Sequence, residues 1–337
     1  MTIAIHKMGS FSDRWIAYCE KNSIAYRLVN AYDSDIIKQV RDCDAFMWHH
    51  SHGDFIDLIT AKRILFALQH SGIKVFPDFN TGWHFDDKVA QKYLLEAIDA
   101  PLVPSYVFYD KNEALIWARN TSYPKVFKLK GGAGSSNVKL VKSYNQCVKL
   151  IRIAFGNGFR TINPWYTWNE ANYKNLNTKD FITEKLRGIK RGLILTDKQK
   201  LFSREKGYVY FQEFIPNNDY DTRIVVIGGV RAMGEKRFVR KGDFRASGSG
   251  HFSYGNISLD AVRIAFKIAN RLKLQSVAFD FIADVNQNTL VVEMSYGFGT
   301  SGIKNCSGYW DSTLQWHEGE VNPEDWMVED LIKEINA

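Results

Sequence analysis

Proline and cysteine are both scarce in this chain, with 7 and 4 residues among 337. A composition so poor in proline excludes collagen-like and proline-rich disordered architectures. Cys19, Cys43, Cys147 and Cys306 are too far apart for a CxxC metal motif or a dense disulfide framework, and are expected to be reduced, mostly buried thiols. No run of 18 apolar residues occurs. The opening MTIAIHKMGSFSD lacks the extended apolar stretch of a signal peptide, so no membrane insertion and a cytoplasmic location are expected. Internal repeats and low-complexity tracts are absent. So is G-x-x-x-x-G-K-[ST], which excludes a P-loop.

What remains is globular material, 45% hydrophobic and 24% charged, long enough that two or three lobes are expected rather than one core. Lys and Arg outnumber Asp and Glu by 44 to 37, a net charge of +7 that suits an anionic partner: nucleic acid, a phosphorylated small molecule or an acidic glycan. The first 80 residues alternate short apolar runs (Thr2–His6, Ala25–Val29, Ala45–Trp48, Lys74–Phe76) with amphipathic stretches, the βαβα rhythm of a parallel sheet. A helix is expected from Asp86, capped by that carboxylate, with Val89, Ala90, Tyr93, Leu94, Ala97 and Ile98 inward and Lys88 in its first turn. Pro101 and Pro104 end this pattern, which places a boundary near residue 103. Residues 156–206 are weakly patterned, and Phe181–Lys206 holds eight Lys and Arg against three acids, either a solvated insertion or a lid over an anion. Strands are expected again at Tyr208–Ile215, Arg223–Ile227, Val277–Val285 and Leu290–Ser295, with a helix over Ser258–Leu272.

Two glycine-rich segments compete for attention. Gly297, Gly299 and Gly302 spell G-x-G-x-x-G after a strand, but the following Asn305, Ser307 and Gly308 make a poor helix start, so the dinucleotide reading fails. Gly131 to Asn137 lies between two strands with Lys128 and Lys130 just before it. It is either an ordinary hairpin turn or a backbone cradle for an anion. His49, His50 and His52 follow the third strand and read as exposed loop histidines, with substrate contact the alternative. Trp310 and Trp316 read as core, or as stacking platforms for a ring.

Alternation puts Val277, Phe279 and Phe281 on one strand face and Asp280 on the other, among apolar neighbours. If the turn after it has two or four loop residues centred on Asn286 and Gln287, opposed residue numbers sum to 573, as 280 and 293 do. Asp280 and Glu293 would then face each other, and either one is protonated or a hard divalent cation such as Mg²⁺ bridges them. A three-residue turn would put them on opposite faces.

The ordered set Asp87-Lys88, Val126-Phe127-Lys128-Leu129, Tyr210 to Ile215, Asp221-Thr222-Arg223, Gly242-Asp243-Phe244-Arg245, Asp280 and Glu293 resembles the ATP-grasp carboxylate–amine ligases, in particular the branch of ribosomal-protein and peptide glutamate ligases. The resemblance implies an α/β ATP-grasp fold behind an N-terminal parallel-sheet domain. Its parts would be 1–103, a small lobe 104–215 with the glycine loop, and a C-terminal lobe 216–337. ATP and Mg²⁺ are the implied cofactors. Lys88 and Lys128 would hold phosphates beneath Gly131, Gly132, Gly134 and Ser135. Gln212, Glu213, Phe214 and Ile215 would face adenine, and Arg223, Arg237 and Arg245 would serve the reacting phosphate and substrate. Asp280 and Glu293 would bind metal; the family's Asn two residues after the Glu is here Ser295. Residues 299–320 resemble surface-polysaccharide ligases that amidate uronic acids with amino acids such as serine. The implied partners are then a small anionic carboxylate, such as a UDP-linked uronic acid held by Arg245 and the Ser247–Gly250 loop, and an amino acid. A ligase acting on a protein or peptide is the alternative. A non-catalytic nucleic-acid-binding protein is disfavoured because the basic residues do not interleave with aromatics along one stripe.

Overall fold

The computed structural model describes residues 1–9, 11–131, 137–161, 201–240, 242–246 and 250–337. Gly132, Gly134 and Ser135 of the glycine loop, most of the basic insertion, Lys241 and residues 247–249 lie outside the described residues. Two compact units result, residues 1–102 with 215–337, and residues 103–214. The first and last of the three expected segments therefore fold together.

The first unit opens with β1 (Thr2–His6), α1 (Phe11–Lys21), β2 (Ala25–Val29), α2 (Ile36–Val40), β3 (Ala45–Met47), α3 (Phe55–His70) and β4 (Lys74–Phe76). The strands form a parallel sheet in the order β2-β1-β3-β4. Two short helices follow, α4 (Phe79–Gly82) and α5 (Lys88–Ala97). Asp87 caps α5, accepting from the N–H groups of Val89 and Ala90 at 3.1 and 2.9 Å. Asp86, the expected cap, is instead in the left-handed region at φ 54°. The inward face also differs from expectation. Lys88, Gln91 and Leu95 are buried while Tyr93 is exposed, because Gln91 accepts from the Met294 N–H and Lys88 meets a carboxylate described below.

The second unit holds β5 (Ser105–Phe108), α6 (Lys111–Asn120), β6 (Lys125–Lys128), β7 (Val138–Val141), α7 (Tyr144–Ala154), the two-residue strands β8 (Phe159–Arg160) and β9 (Arg204–Glu205), and β10 (Val209–Glu213). Its main sheet is antiparallel in the order β5-β10-β6-β7, and α6 and α7 pack on it over Phe127, Leu129, Ile151 and Phe211.

The rest of the first unit is a seven-stranded antiparallel sheet: β11 (Tyr220–Ile227), β12 (Arg231–Phe238), β13 (Phe252–Ser253), β14 (Ser276–Ala283), β15 (Thr289–Ser295), β16 (Gly308–Asp311) and β17 (Trp316–Glu318). The order is β15-β14-β11-β12-β16-β17, with β13 beside β12. Strand alternation divides its two faces. One face carries Ile224, Val226, Val277, Phe279 and Phe281 against α8 (Leu259–Leu272), whose Val262, Phe266 and Ala269 are buried as its 3.6-residue period requires. The opposite face is apolar at one end, where Val225, Ile227, Met233 and Ala278 join a core with Ile3, Ile5, Trp15 and residues of α9 (Pro323–Asn336). At its other end this face is charged. All four cysteines are free and buried, as expected.

Candidate active site

The charged end of that face is a row of side chains at matching positions on four adjacent strands. Asp280 of β14 opposes Glu293 of β15 on one side and Arg223 of β11 on the other, and Arg223 in turn opposes Glu235 of β12. One register step along, Asp221 opposes Arg237. The Asp280–Glu293 opposition forms as expected, by a different route. Near the turn the pairs are Ala283 with Thr289, Ile282 with Leu290 and Phe281 with Val291, a register that, if continued, would set Val292 against Asp280. A bulge between Asp280 and Phe281 absorbs Val292, and Glu293 then takes the place opposite Asp280.

Asp280 does not sit among apolar neighbours. Arg223 donates to it through Nε at 2.8 Å and Nη2 at 3.1 Å, and Arg237 through Nη2 at 2.7 Å. Burial opposes the charged carboxylate, but the two guanidiniums outweigh it and hold Asp280 well below the usual carboxylate range. Arg237, 5% exposed, also grips Asp221 in a bidentate pair at 2.7 and 2.6 Å. Its guanidinium is therefore turned to carboxylates, where the resemblance had placed it on phosphate. On the other flank Lys88 reaches Glu293 at 3.0 Å from the first turn of α5. Burial would lower the Lys88 pKa, yet the Glu293 carboxylate raises it. The like-charge conflict between Asp280 and Glu293 is thus relieved by basic side chains, a third solution beside protonation and metal.

The two carboxylates still offer a hard cation what it prefers, opposed oxygen donors, with Asp280 15% and Glu293 32% exposed. No cluster of three or more His, Cys, Asp or Glu among the described residues could hold a metal by itself, so remaining ligands would come from a nucleotide and water. Ser295, on the same face one pair further, donates its hydroxyl to the Gly297 carbonyl at 3.3 Å. Arg245 lies in the turn after β12, bound by Asp243 at 2.6 to 3.0 Å. Of the basic segment Lys236 to Arg245, Arg237 and Arg245 are therefore committed to acids, and less free charge faces outward than the sequence suggests.

In the second unit, Lys128 is 5% exposed at the end of β6, next to Leu129 and the start of the glycine loop at Gly131. Gln212 and Glu213 close β10, with Phe214 just beyond. The Glu213 N–H donates to the Pro104 carbonyl at 2.9 Å, and its carboxylate accepts from Lys125 at 2.6 and 2.7 Å and from Tyr106 at 3.0 Å. Glu213 is thus bound on both counts and has no N–H for a base. Ile215 begins the next segment of the first unit.

Sequence reasoning passed over Glu235. It is 2% exposed, and a strand reading Gly234-Glu235-Lys236-Arg237 gives only its alternation with Arg237 as a clue. His49 and His50, expected as exposed loop histidines, are not exposed, and His84 was not singled out. His50 is 2% and His84 1% exposed, and His49 stacks on Phe11 at 3.9 Å. Burial lowers their pKa values to about 3 for His50 and about 4 for His49 and His84. The His49 and His50 imidazoles belong to an aromatic cluster with Phe85 and Tyr296, and His84 meets Trp83 edge-on at 5.6 Å. Trp310 and Trp316 meet at 4.6 Å and line a separate pocket of about 310 Å³ with Tyr254, Asn256 and Ile257.

The chain has the ATP-grasp fold. A family model described as a RimK-like ATP-grasp domain matches residues 189–310. Three solved structures that resemble this chain over 99–100% of its length are 12–15% identical to it. A RimK domain protein of the ATP-grasp type from Sphaerobacter thermophilus is 15% identical, with 99% of this chain and 100% of that one covered and a TM-score of 0.57. The D-cycloserine synthetase DcsG is 12% identical over 99% and 100%, at 0.59. The ATP-grasp ligase PsnB, solved with its minimal precursor, Mg and ADP, is 12% identical over 100% and 98%, at 0.52. No curated protein matches.

Proposed function

We propose that the protein is an ATP-dependent carboxylate–amine ligase, in which a substrate carboxylate is phosphorylated by ATP and an amine displaces the phosphate to give an amide, ADP and phosphate. The observation that carries this reading is the row Lys88, Glu293, Asp280, Arg223 on one sheet face of an ATP-grasp fold. Phosphoryl transfer asks a protein for positioning and charge stabilisation more than for covalent chemistry, and this row supplies both signs of charge on rigid strands.

In the first unit, Asp280 and Glu293 would hold Mg²⁺, which when bound neutralises phosphate charge and orients it. Lys88 fixes the Glu293 carboxylate and Arg237 fixes Asp280 against Asp221, so both acids keep one geometry. Arg223, half-buried and beside Asp280, is the cation best placed to stabilise negative charge developing on the transferred phosphoryl group or the acyl phosphate. In the second unit, Lys128 and the backbone from Gly131 onward would take ATP phosphates, and Gln212 and Phe214 the adenine side. The N–H that serves the base must come from beyond Glu213.

For substrates we favour a nucleotide-linked uronic acid and a small amino acid such as serine, in surface-polysaccharide synthesis. The +7 net charge supports an acid substrate that carries further negative charge, and Lys236 and Arg240 bring positive charge to the end of β12 and the turn after it, beside Arg245 with its Asp243 partner. The test compares kcat/KM for ADP release with a UDP-linked uronic acid and with the free uronic acid, each with serine. A preference above about fivefold for the nucleotide-linked acid, roughly 1 kcal/mol, supports this choice. A smaller ratio, with turnover on acidic peptides, moves the assignment to a peptide ligase.

A further inference from the structure

Arg223 stands in β11 with a carboxylate opposite it on each neighbouring strand, Asp280 on β14 and Glu235 on β12. Side chains directly opposed in an antiparallel pair have Cβ atoms roughly 4.5–5.5 Å apart, so both acids lie within reach of one guanidinium. The structure shows it on one of them only. Nε and Nη2 of Arg223 both go to Asp280, and with Nη2 of Arg237 each oxygen of Asp280 already accepts at least one N–H. A divalent cation at Asp280 would compete with those N–H groups for the same oxygens and be repelled by both guanidiniums. Arg237 is anchored independently by Asp221, so Arg223 is the one freer to move.

Glu235 is what waits on the other side. Its Oε2 is buried and has no hydrogen-bond partner, in a residue that is 2% exposed, and it lies so close to Gly302 that a Cβ there would collide with it. A buried carboxylate oxygen left unpaired is destabilising, so Glu235 has a donor to gain. Burial pushes the Glu235 carboxyl above its ordinary pKa, and Arg223 is the largest influence opposing it.

We propose that Glu235 is the second seat of Arg223: when a divalent cation takes Asp280, the Arg223 guanidinium turns across β11 and pairs with Glu235. This rests on the reading of Asp280 and Glu293 as metal ligands. Glu235 is then a positioning residue. In the metal-loaded protein without nucleotide it keeps Arg223 paired, shifts its positive charge about one strand spacing of roughly 4.8 Å away from the cation, and lowers the barrier to metal entry that the Arg223–Asp280 pair imposes; Arg223 turns to the phosphoryl group only when nucleotide and substrate bring negative charge to the site.

The test is a double-mutant cycle read by metal affinity rather than turnover. Mn²⁺ is titrated into the full chain without nucleotide, and free Mn²⁺ is followed by its electron paramagnetic resonance signal, for wild type, Glu235→Gln, Arg223→Gln and the double variant. Glu235→Gln should weaken Mn²⁺ binding about tenfold when Arg223 is present and less than about twofold in the Arg223→Gln background, where no guanidinium needs a seat. Equal losses in both backgrounds would mean that Glu235 acts only as one more negative charge, which overturns the exchange and leaves the metal site standing. Wild-type protein that takes up no Mn²⁺ without nucleotide overturns the proposal, which needs the cation on Asp280 before nucleotide arrives, and a repeat titration with an ATP analogue that also shows no protein-dependent Mn²⁺ uptake removes the metal reading as well. Glu235→Met runs the same cycle if the Gln variant does not fold, as judged by circular dichroism, and is expected to give the same pattern.

Discussion

Replacing Asp280 by Asn changes one charge and almost no volume, but the structure makes it a costly substitution. Asp280 receives three charge-assisted N–H bonds from two guanidiniums whose side chains are 18% and 6% exposed. An Asn has one acceptor oxygen, and its NH₂ would point at a guanidinium donor. Removing one member of a buried ion pair typically costs about 3–5 kcal/mol, because the partner charge stays buried. Asp221 keeps part of the compensation for Arg237, so we expect about 3 kcal/mol, measured by urea unfolding without nucleotide or metal at pH 7. The sign of the pH dependence follows from the depressed Asp280 pKa. Its stabilisation is complete above the unfolded value near 3.9 and is lost as pH falls through the lower folded value, so the gap between wild type and variant should stay constant from pH 8 to 5 and narrow below pH 4. A loss under about 1 kcal/mol at pH 7, or a gap that narrows already at pH 6, would refute the charge network as described. The same variant should also lose ATP turnover, but that loss is interpretable only once stability has been measured.

Other expectations follow from single contacts. Lys128→Met should weaken ATP binding at least tenfold by calorimetry and leave acceptor binding nearly unchanged, and the reverse pattern would assign the glycine loop to the other substrate. Gly302→Ala should destabilise the protein by about 1–3 kcal/mol in urea melts, because the added methyl meets the Glu235 carboxylate; an unchanged midpoint would mean the loop yields freely. The buried histidines predict acid sensitivity: above pH 6.5 each is neutral folded or unfolded, and below it the unfolded chain takes the proton first. Stability should then fall by up to about 1.4 kcal/mol per pH unit for each histidine until the folded values of about 3 to 4 are reached. His50→Leu should flatten that acid limb by one proton's worth of slope, and an unaltered limb would show that His50 titrates normally.

The parts of this molecule legible in its sequence are those where burial and apolarity coincide. The four strands of the parallel sheet and the inward face of α8 follow directly from apolar periodicity. Periodicity failed on α5, whose buried face carries Lys88 and Gln91 because those side chains serve β15 rather than fill a core. Asp280 and Glu293 could be matched by counting, yet nothing in Leu290-Val291-Val292-Glu293 signals which residue a bulge will absorb. Glu235 and His50 were the least legible of all. A charged or titratable residue reads as exposed unless its partners are known, and the partners here come from strands and loops far away in the chain.

The most direct test of the central claim follows oxygen. Purified protein is given ATP, Mg²⁺, serine and a UDP-linked uronic acid whose carboxylate is enriched in ¹⁸O, with acidic peptides labelled in the same way in parallel. A ligase that activates the carboxylate as an acyl phosphate must deliver one ¹⁸O from it to the inorganic phosphate for each amide and ADP formed. Phosphate carrying that single label is the result expected; unlabelled phosphate, or AMP and pyrophosphate in place of ADP, would contradict the account.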